Sequence, residues 1–224
     1  SRYTGWGAIP DAFDESKSDW AKEYAELKAA LTPEEYEAVR SSTLNAHYTS
    51  PTVIRAIYDA LVNLGFEGGR ILEPSCGVGN FFGLLPDSMA DSQLYGVELD
   101  SITGRIAGQL YPEAEITVAG FETTNRPGFY DLAVGNVPFG NYQVFAKDES
   151  VRRYLAERGE LLGAIRLPNN AFRANAGTDV VSDIIFLQRR EKPVTEFPEW
   201  VHVGENEDSF TVNRYFLDHP EMVL

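Results

Sequence analysis

Four consecutive residues, Asn136-Val137-Pro138-Phe139, close the strand-like run from Tyr130 to Gly135. They bring together a side-chain amide, a backbone carbonyl held by the proline that follows it, and an aromatic face. These groups suit one task, which is to grip a planar group bearing an amine and to present its nitrogen to an electrophile. The rest of the chain then has to hold the electrophile, and a sheet has to place the loop beside it.

The elements that do this positioning are legible from residue 70 onward. Arg70 to Glu73 reads as a short buried strand, followed by the loop Pro74-Ser75-Cys76-Gly77-Val78-Gly79-Asn80-Phe81 and a short helix to about Leu85. Leu94 to Leu99 is a second strand, Ile102 to Leu110 a helix, Glu115 to Val118 a third strand and Phe129 to Gly135 a fourth. Ser150 to Glu157 is a helix, and Leu161 to Leu167 and Ile184 to Arg189 are strands. Such alternation predicts an α/β domain with a largely parallel sheet. Ligands of such sheets sit outside the carboxyl ends of the strands. Three loops fall there: Pro74 to Phe81, Glu98 to Ser101, and Asn136 to Gly140.

The first of these loops lets backbone approach a ligand closely. Gly77-Val78-Gly79-Asn80-Phe81-Phe82 carries the first two glycines of a dinucleotide fingerprint and a phenylalanine at the third. A tight strand-to-helix turn is the plainer reading of the same loop. Glu98 ends the second strand, where a carboxylate can accept both hydroxyls of a ribose, a feature shared by nucleotide and S-adenosylmethionine sites. Taken alone, Glu98 also reads as a solvated strand-end charge, and Leu99 packs either on an adenine ring or on the core. Asn136 alone reads as a turn residue, Phe139 as a core aromatic, and Tyr48 and Thr49 as helix caps.

Before residue 70 the pattern is helical. Tyr3 to Asp14, with Gly5-Trp6-Gly7, is an irregular lead-in in which Trp6 and Phe13 act as packing anchors. Ser18 to Leu31 places Trp20, Tyr24 and Leu27 at helical spacing. Thr32-Pro33-Glu34-Glu35 is a capping box with proline at the first helical position, opening a helix to about Arg40. Ser50-Pro51 starts a third helix with Val53, Ile54, Ile57, Leu61 and Leu64 on one face and Gly65 as terminator. The chain thus divides into a helical preface (1–65), an α/β core (66–196) and an acidic, aromatic packed tail (197–224) with no chemistry of its own.

Composition narrows the function. The 224 residues are 43% hydrophobic and 12% aromatic, which excludes a disordered chain. No apolar run approaches a membrane span and no basic-then-apolar signal opens the sequence. The single cysteine excludes a disulfide framework and makes a reducing cytoplasm the default location. His47, His202 and His219 lack ligand spacing, so no metal is expected. A net charge of −15 argues against tight, autonomous binding of duplex DNA. It does not exclude work on nucleic acid if another segment supplies the grip. Arg152, Arg153, Arg158, Arg166, Arg173, Arg189 and Arg190 cluster in the C-terminal half.

Together, Tyr48-Thr49-Ser50-Pro51, Glu73 to Phe81, Glu98 and Asn136-Val137-Pro138-Phe139 resemble, in that order, the motifs of the adenine-N6 DNA methyltransferases. Gly5-Trp6-Gly7, Leu44 to Thr49 and Leu167-Pro168-Asn169-Asn170-Ala171-Phe172 are similar to the methylase portion of large methylase–helicase proteins of phages, plasmids and conjugative elements. The resemblance covers almost the whole chain. It implies a Rossmann-like S-adenosylmethionine-dependent methyltransferase fold with a helical N-terminal preface. The implied reaction is methyl transfer to the exocyclic N6 amine of adenine in DNA, by a module of a larger protein that also carries a helicase region.

By the same resemblance, Asn136 and the carbonyl of Val137 accept the two N–H bonds of the amine, Pro138 fixes the loop, and Phe139 stacks on a base flipped out of its duplex. Thr49 and the loop from Pro74 to Asn80, with Ser75, Gly77, Gly79 and Asn80, hold the methionine part of the cofactor, and Tyr48 and Glu73 count among its contacts. Glu98 takes its ribose, and Leu99 and Phe121 its adenine.

Three departures from the family pattern stand out. Val137 replaces a proline, and Gly120 replaces the acid of an Asp-Phe pair, leaving only Phe121. Between Gly135 and Leu161 one helix stands where the family has a further helix, turn and strand, although a crossover needs roughly thirty residues. A segment omitted between these points is the favoured explanation, since a deleted central strand would expose its neighbours. The alternatives in function are an inactive scaffold of the same fold and a protein-glutamine methyltransferase, whose acceptor is also a planar amide. A dinucleotide oxidoreductase would leave Asn136 to Phe139 without a task.

Overall fold

The computed structural model describes residues 6–43, 48–136, 149–171, 181–192 and 194–224. Contacts divide the chain into two units, one made mainly of residues 1–140 and one mainly of the residues after them.

The first unit begins with two short 3-10 turns, Trp6–Ala8 and Pro10–Phe13. Helices α1 (Ala21–Ala30), α2 (Pro33–Ser42) and α3 (Pro51–Asn63) follow. The starts of α2 and α3 obey their local chemistry. The Thr32 hydroxyl accepts the Glu35 N–H while the Glu35 carboxylate accepts the Thr32 N–H, completing the capping box with Pro33 at the first position. Ser50 caps α3 through the Val53 N–H, again with proline next in the chain. Helix α3 ends at Gly65, whose φ of +90° and N–H bond to the Val62 carbonyl turn the chain away. Leu64 lies past the last helical turn and is exposed rather than on the buried face, because the apolar stripe stops with the helix.

Four parallel strands then form a sheet in the order β3-β2-β1-β4: β1 (Arg70–Glu73), β2 (Gln93–Glu98), β3 (Glu115–Val118) and β4 (Leu132–Ala133). All pairings are parallel, with Arg70 opposite Gln93, Tyr95 opposite Glu115 and Ile71 opposite Leu132. The fourth strand is much shorter than the span from Phe129 to Gly135. Phe129 and Tyr130 are instead drawn into an aromatic cluster with Tyr95. Helix α4 (Ser101–Leu110) joins β2 to β3. Ile54 and Tyr58 of α3 pack with Ile71, Phe81, Met89 and Val134 in the main core. Cys76, Phe82 and Ala107 of α4 form a second cluster. The preface has its own core of Ala12, Phe13, Tyr36 and Val39, against which Trp6, Trp20, Tyr24 and Leu27 pack. Phe13 is thus the anchor expected of it.

The second unit contains α5 (Ser150–Arg158), an antiparallel pair β5 (Gly159–Arg166) and β6 (Asp183–Arg189), a second antiparallel pair β7 (Val203–Glu205) and β8 (Thr211–Asn213), and a short helix α6 (Arg214–Asp218). The strands expected at 161–167 and 184–189 therefore pair with each other and run in opposite directions. Arg166 lies opposite Asp183 in this ladder and its guanidinium forks onto that carboxylate at 2.9 Å, a bidentate pair that fixes the register. In the tail, Val201 and Phe216 are buried, and Asn213 both caps α6 and donates to the Trp200 carbonyl. No helix among the described residues is long and apolar enough to cross a membrane.

Candidate ligand-binding site

The residues singled out for chemistry converge in the first unit. Strand β1 delivers the loop from Pro74 to Phe81 beside the carboxyl end of β2. Within it the Cys76 N–H donates to the Val97 carbonyl and the Gly79 N–H to the Cys76 carbonyl, so the loop is tied both to the sheet and to itself. Gly77 (φ +54°) and Gly79 (φ +79°) occupy the left-handed region. A β-carbon on Gly77 would lie 2.8 Å from the Tyr48 ring, and one on Gly79 would lie 2.6 Å from the ring of Tyr111. The glycines therefore admit two aromatic side chains. The helix expected after the loop is a single 3-10 turn, Phe82–Leu84, too short to lend a dipole to a ligand.

Beside this loop lies a cavity of about 300 Å³, the lower end of the small-molecule range. Of the residues assigned to a cofactor, Tyr48, Thr49, Glu73, Ser75, Gly77, Asn80, Glu98 and Leu99 line it, and so does Asn136. Pro74, Gly79 and Phe121 do not. Gly79 supports Tyr111 from behind, and Phe121 stands 66% exposed in the 3-10 turn after β3. Leu99, 73% exposed, offers its apolar side chain at the rim. Val137, Pro138 and Phe139 lie outside the described residues, as does the stretch at 141–148 on which the shortened crossover turns.

Three carboxyl side chains face the cavity, and among the described residues no lysine, arginine or histidine does. Glu98 accepts the Gly77 N–H at 2.8 Å on one oxygen and the Asp100 N–H at 2.9 Å on the other. Burial pushes its carboxyl up, and the backbone donors pull against that shift. Both oxygens thus hold the loops in place. Each carboxylate oxygen has a second lone pair, so capacity for ligand hydroxyls remains. Asp100 caps α4 through the Ile102 and Thr103 N–H groups, accepts the Thr103 hydroxyl, and accepts the Trp6 indole N–H at 3.0 Å. Glu73 ends β1 with only 3% of its surface exposed, and its Oε2 has no hydrogen-bond partner among the described residues. Burial first, and then the charge of Glu98, hold its carboxyl well above the ordinary carboxylate range.

Several lining residues carry no sign of that place in the sequence. Trp6 is a packing anchor against Phe13, as expected, but it also forms cavity wall, held there by Asp100. Ala38, Ser41 and Ser42 bring the last turns of α2 to the same wall, and Cys76, Phe81, Asp100 and Thr103 complete it. Asp100 has a local signal, an acidic residue just before a helix, which is an N-cap position. Trp6 and the α2 residues have none, because their place depends on how the preface folds back on the sheet.

No protein-family model matches the chain. It is 25% identical, over 227 aligned positions covering 78% of this chain and 10% of that protein, to the defense against restriction protein B of Escherichia phage P1. A shorter stretch of 74 positions, 33% of this chain and 19% of the other, is 35% identical to the type II methyltransferase M.CvrRI of Paramecium bursaria Chlorella virus XZ-6E. The matches thus span about a tenth and a fifth of these two relatives. Among solved structures, a modification subunit of a putative type I restriction enzyme from Vibrio vulnificus YJ016 superposes with a TM-score of 0.52 at 16% identity, covering 78% of this chain and 49% of that one. The likeness in structure, with four parallel strands and a cavity at their carboxyl ends, shows a Rossmann-like α/β fold.

Proposed function

We propose that the chain is the methyltransferase module of a longer protein and that it methylates the N6 amine of adenine in DNA with S-adenosylmethionine. The observation that carries the reading is the cavity itself. It sits at the carboxyl ends of β1 and β2, is lined by Glu73, Glu98 and Asp100 with no basic side chain among the described residues, and has Asn136 in its wall. A dinucleotide brings a pyrophosphate, which such a lining repels. S-adenosylmethionine brings a sulfonium and an ammonium, which it attracts. The orphaned oxygen of Glu73 fits a cationic partner in the same way.

When bound, S-adenosylmethionine supplies a methyl group made electrophilic by the sulfonium. Tyr48, Thr49, Glu73, Ser75, Gly77 and Asn80 hold its methionine part, Glu98 its ribose, and Leu99 with Phe121 its adenine. The acceptor nitrogen of the target adenine is a weak nucleophile because its lone pair is delocalised into the ring. Asn136 and the Val137 carbonyl accept its two N–H bonds and draw it toward a tetrahedral shape, Pro138 fixes their loop, and Phe139 stacks on the extruded base. The amine needs no prior deprotonation, since its proton becomes acidic only after the methyl arrives.

The acidity of the chain supports a division of labour, in which DNA is gripped by other segments, a helicase region among them. The small share of the phage relative that aligns supports a larger protein. A phage, plasmid or other mobile element in a bacterial cytoplasm is the setting that fits.

Asn136→Ala in the full-length protein is the test. The removed interaction is needed in the transition state, so incorporation of labelled methyl into unmethylated DNA should fall by roughly a hundredfold or more while S-adenosylmethionine affinity stays nearly intact. Undiminished methylation of DNA by this variant overturns the role of the loop. Label entering protein rather than DNA points to a glutamine acceptor, and failure of the parent protein to bind S-adenosylmethionine points to a scaffold.

A further inference from the structure

The carboxyl of Glu73 carries an oxygen that nothing among the described residues satisfies. Buried polar groups are paired almost without exception, and a group left unpaired calls for an explanation. Glu73 is buried at the cavity wall with Oε2 unpartnered among the described residues. Among the described residues, the titratable groups around it give it no counter-charge. They are Tyr58 from α3, Cys76 from the loop after β1, Glu98 from the end of β2 and Tyr111 after α4, and none is cationic. The Tyr58 hydroxyl is itself committed to the Phe81 carbonyl at 3.1 Å. On the β4 side Gly135 brings no side chain, and a β-carbon there would lie 3.5 Å from Glu73.

Burial without a partner favours the neutral acid over a buried anion. A cation placed in the cavity inverts that balance. The bond that breaks is the O–H of Glu73, the proton leaves to solvent buffer, and the carboxylate left behind pairs with the ligand's positive charge.

We infer that a cationic ligand enters this cavity in exchange for the proton of Glu73, so that binding and proton release are one event. The ligand is taken from the S-adenosylmethionine reading, on which the inference rests. The exchange makes the affinity of the site a function of pH. While the free protein keeps Glu73 protonated, each unit of rising pH strengthens binding by about tenfold, and the gain stops once the acid ionises without ligand.

Titration calorimetry with S-adenosylmethionine on the full-length protein tests this, run at one near-neutral pH in two buffers of very different ionisation enthalpy. The expected result is an apparent enthalpy that differs between buffers by about one proton's worth of buffer ionisation, and a Glu73→Gln protein that binds more weakly with the difference gone. Glutamine copies the neutral acid in shape, so the variant keeps the ligand-free packing. Binding with no buffer dependence in the parent protein overturns the inference and leaves the cofactor reading intact, and so does a buffer dependence that survives Glu73→Gln. No binding at all overturns both.

Discussion

The two ends of β1 are built from opposite electrostatics. At its start, Arg70 meets Asp131 through three hydrogen bonds, two from the guanidinium at 3.0 Å and one from the backbone N–H at 2.8 Å. Both side chains are partly exposed, and the guanidinium also covers the face of Phe129. These bonds hold the Asp131 carboxyl down at about 2. At the other end of the strand, Glu73 is buried, faces Glu98 and has an oxygen with no partner among the described residues. One end is finished within the protein, and the other is the end to which the proposed function assigns a ligand. The difference matches the geometry of parallel sheets, whose ligands gather at the carboxyl ends of the strands.

Three substitutions test that contrast, from the largest effect to the smallest. Glu73→Gln should stabilise the ligand-free protein, and increasingly so at higher pH. The sign follows from the raised carboxyl. In the interval between the unfolded and folded pKa values the native state holds the extra proton, so stability falls as pH rises, by at most about 1.4 kcal/mol per pH unit. Glutamine removes that slope. Denaturant titrations of both proteins from mildly acidic to mildly alkaline conditions measure it, and parallel pH profiles would show that Glu73 is not the strained group.

Gly77→Ala should cost about 1–3 kcal/mol, from the left-handed φ and from a β-carbon driven 2.8 Å from the Tyr48 ring. Because Tyr48 is cavity wall, ligand affinity should fall with it. A thermal melt with and without S-adenosylmethionine separates the two losses, and an unchanged melt would mean the loop relaxes freely.

Asp131→Asn should have the smallest effect and the opposite pH dependence to Glu73→Gln. The native pairing contributes stability above the ordinary carboxylate pKa of 3.8, and it fades as pH falls toward about 2. An exposed pair of this kind contributes little, so the variant should melt slightly lower at neutral pH, match the parent in strong acid, and bind ligand unchanged. A loss of affinity here would show that the two ends of β1 are not independent.

Much of the site is legible in the sequence. Gly77 and Gly79 announce a loop where backbone must turn and be approached, and Glu98 at a strand end announces a carboxylate among loops. Both signals are local. The acid-lined character of the cavity is not legible there. Glu73 reads as the last residue of a strand, and nothing in its neighbours along the chain says that burial and Glu98 would push its carboxyl up. Glu98 reads as a ligand contact, and it also braces the Gly77 loop and the Asp100 turn. The largest departure of the fold from expectation concerns 161–167 and 184–189, which have strand composition but pair with each other in opposite directions. Alternating patterns set the existence of strands, whereas direction depends on which partner is nearest.

What the sequence by itself determined lies within a few residues of its signal. The Thr32 capping box, Ser50-Pro51 at the start of α3, the stop at Gly65 and the strand–loop–helix order through Val118 are set by hydrogen-bonding and torsional preferences of adjacent residues. The cavity was decided by tertiary structure alone. Trp6 reaches Asp100 across 94 positions, and α2 supplies a wall whose serines hydrogen-bond along their own helix. Such contacts follow from how the helical preface packs its own core of Phe13, Tyr36 and Val39. Packing free energy is summed over the whole interface and carries no mark at any single residue.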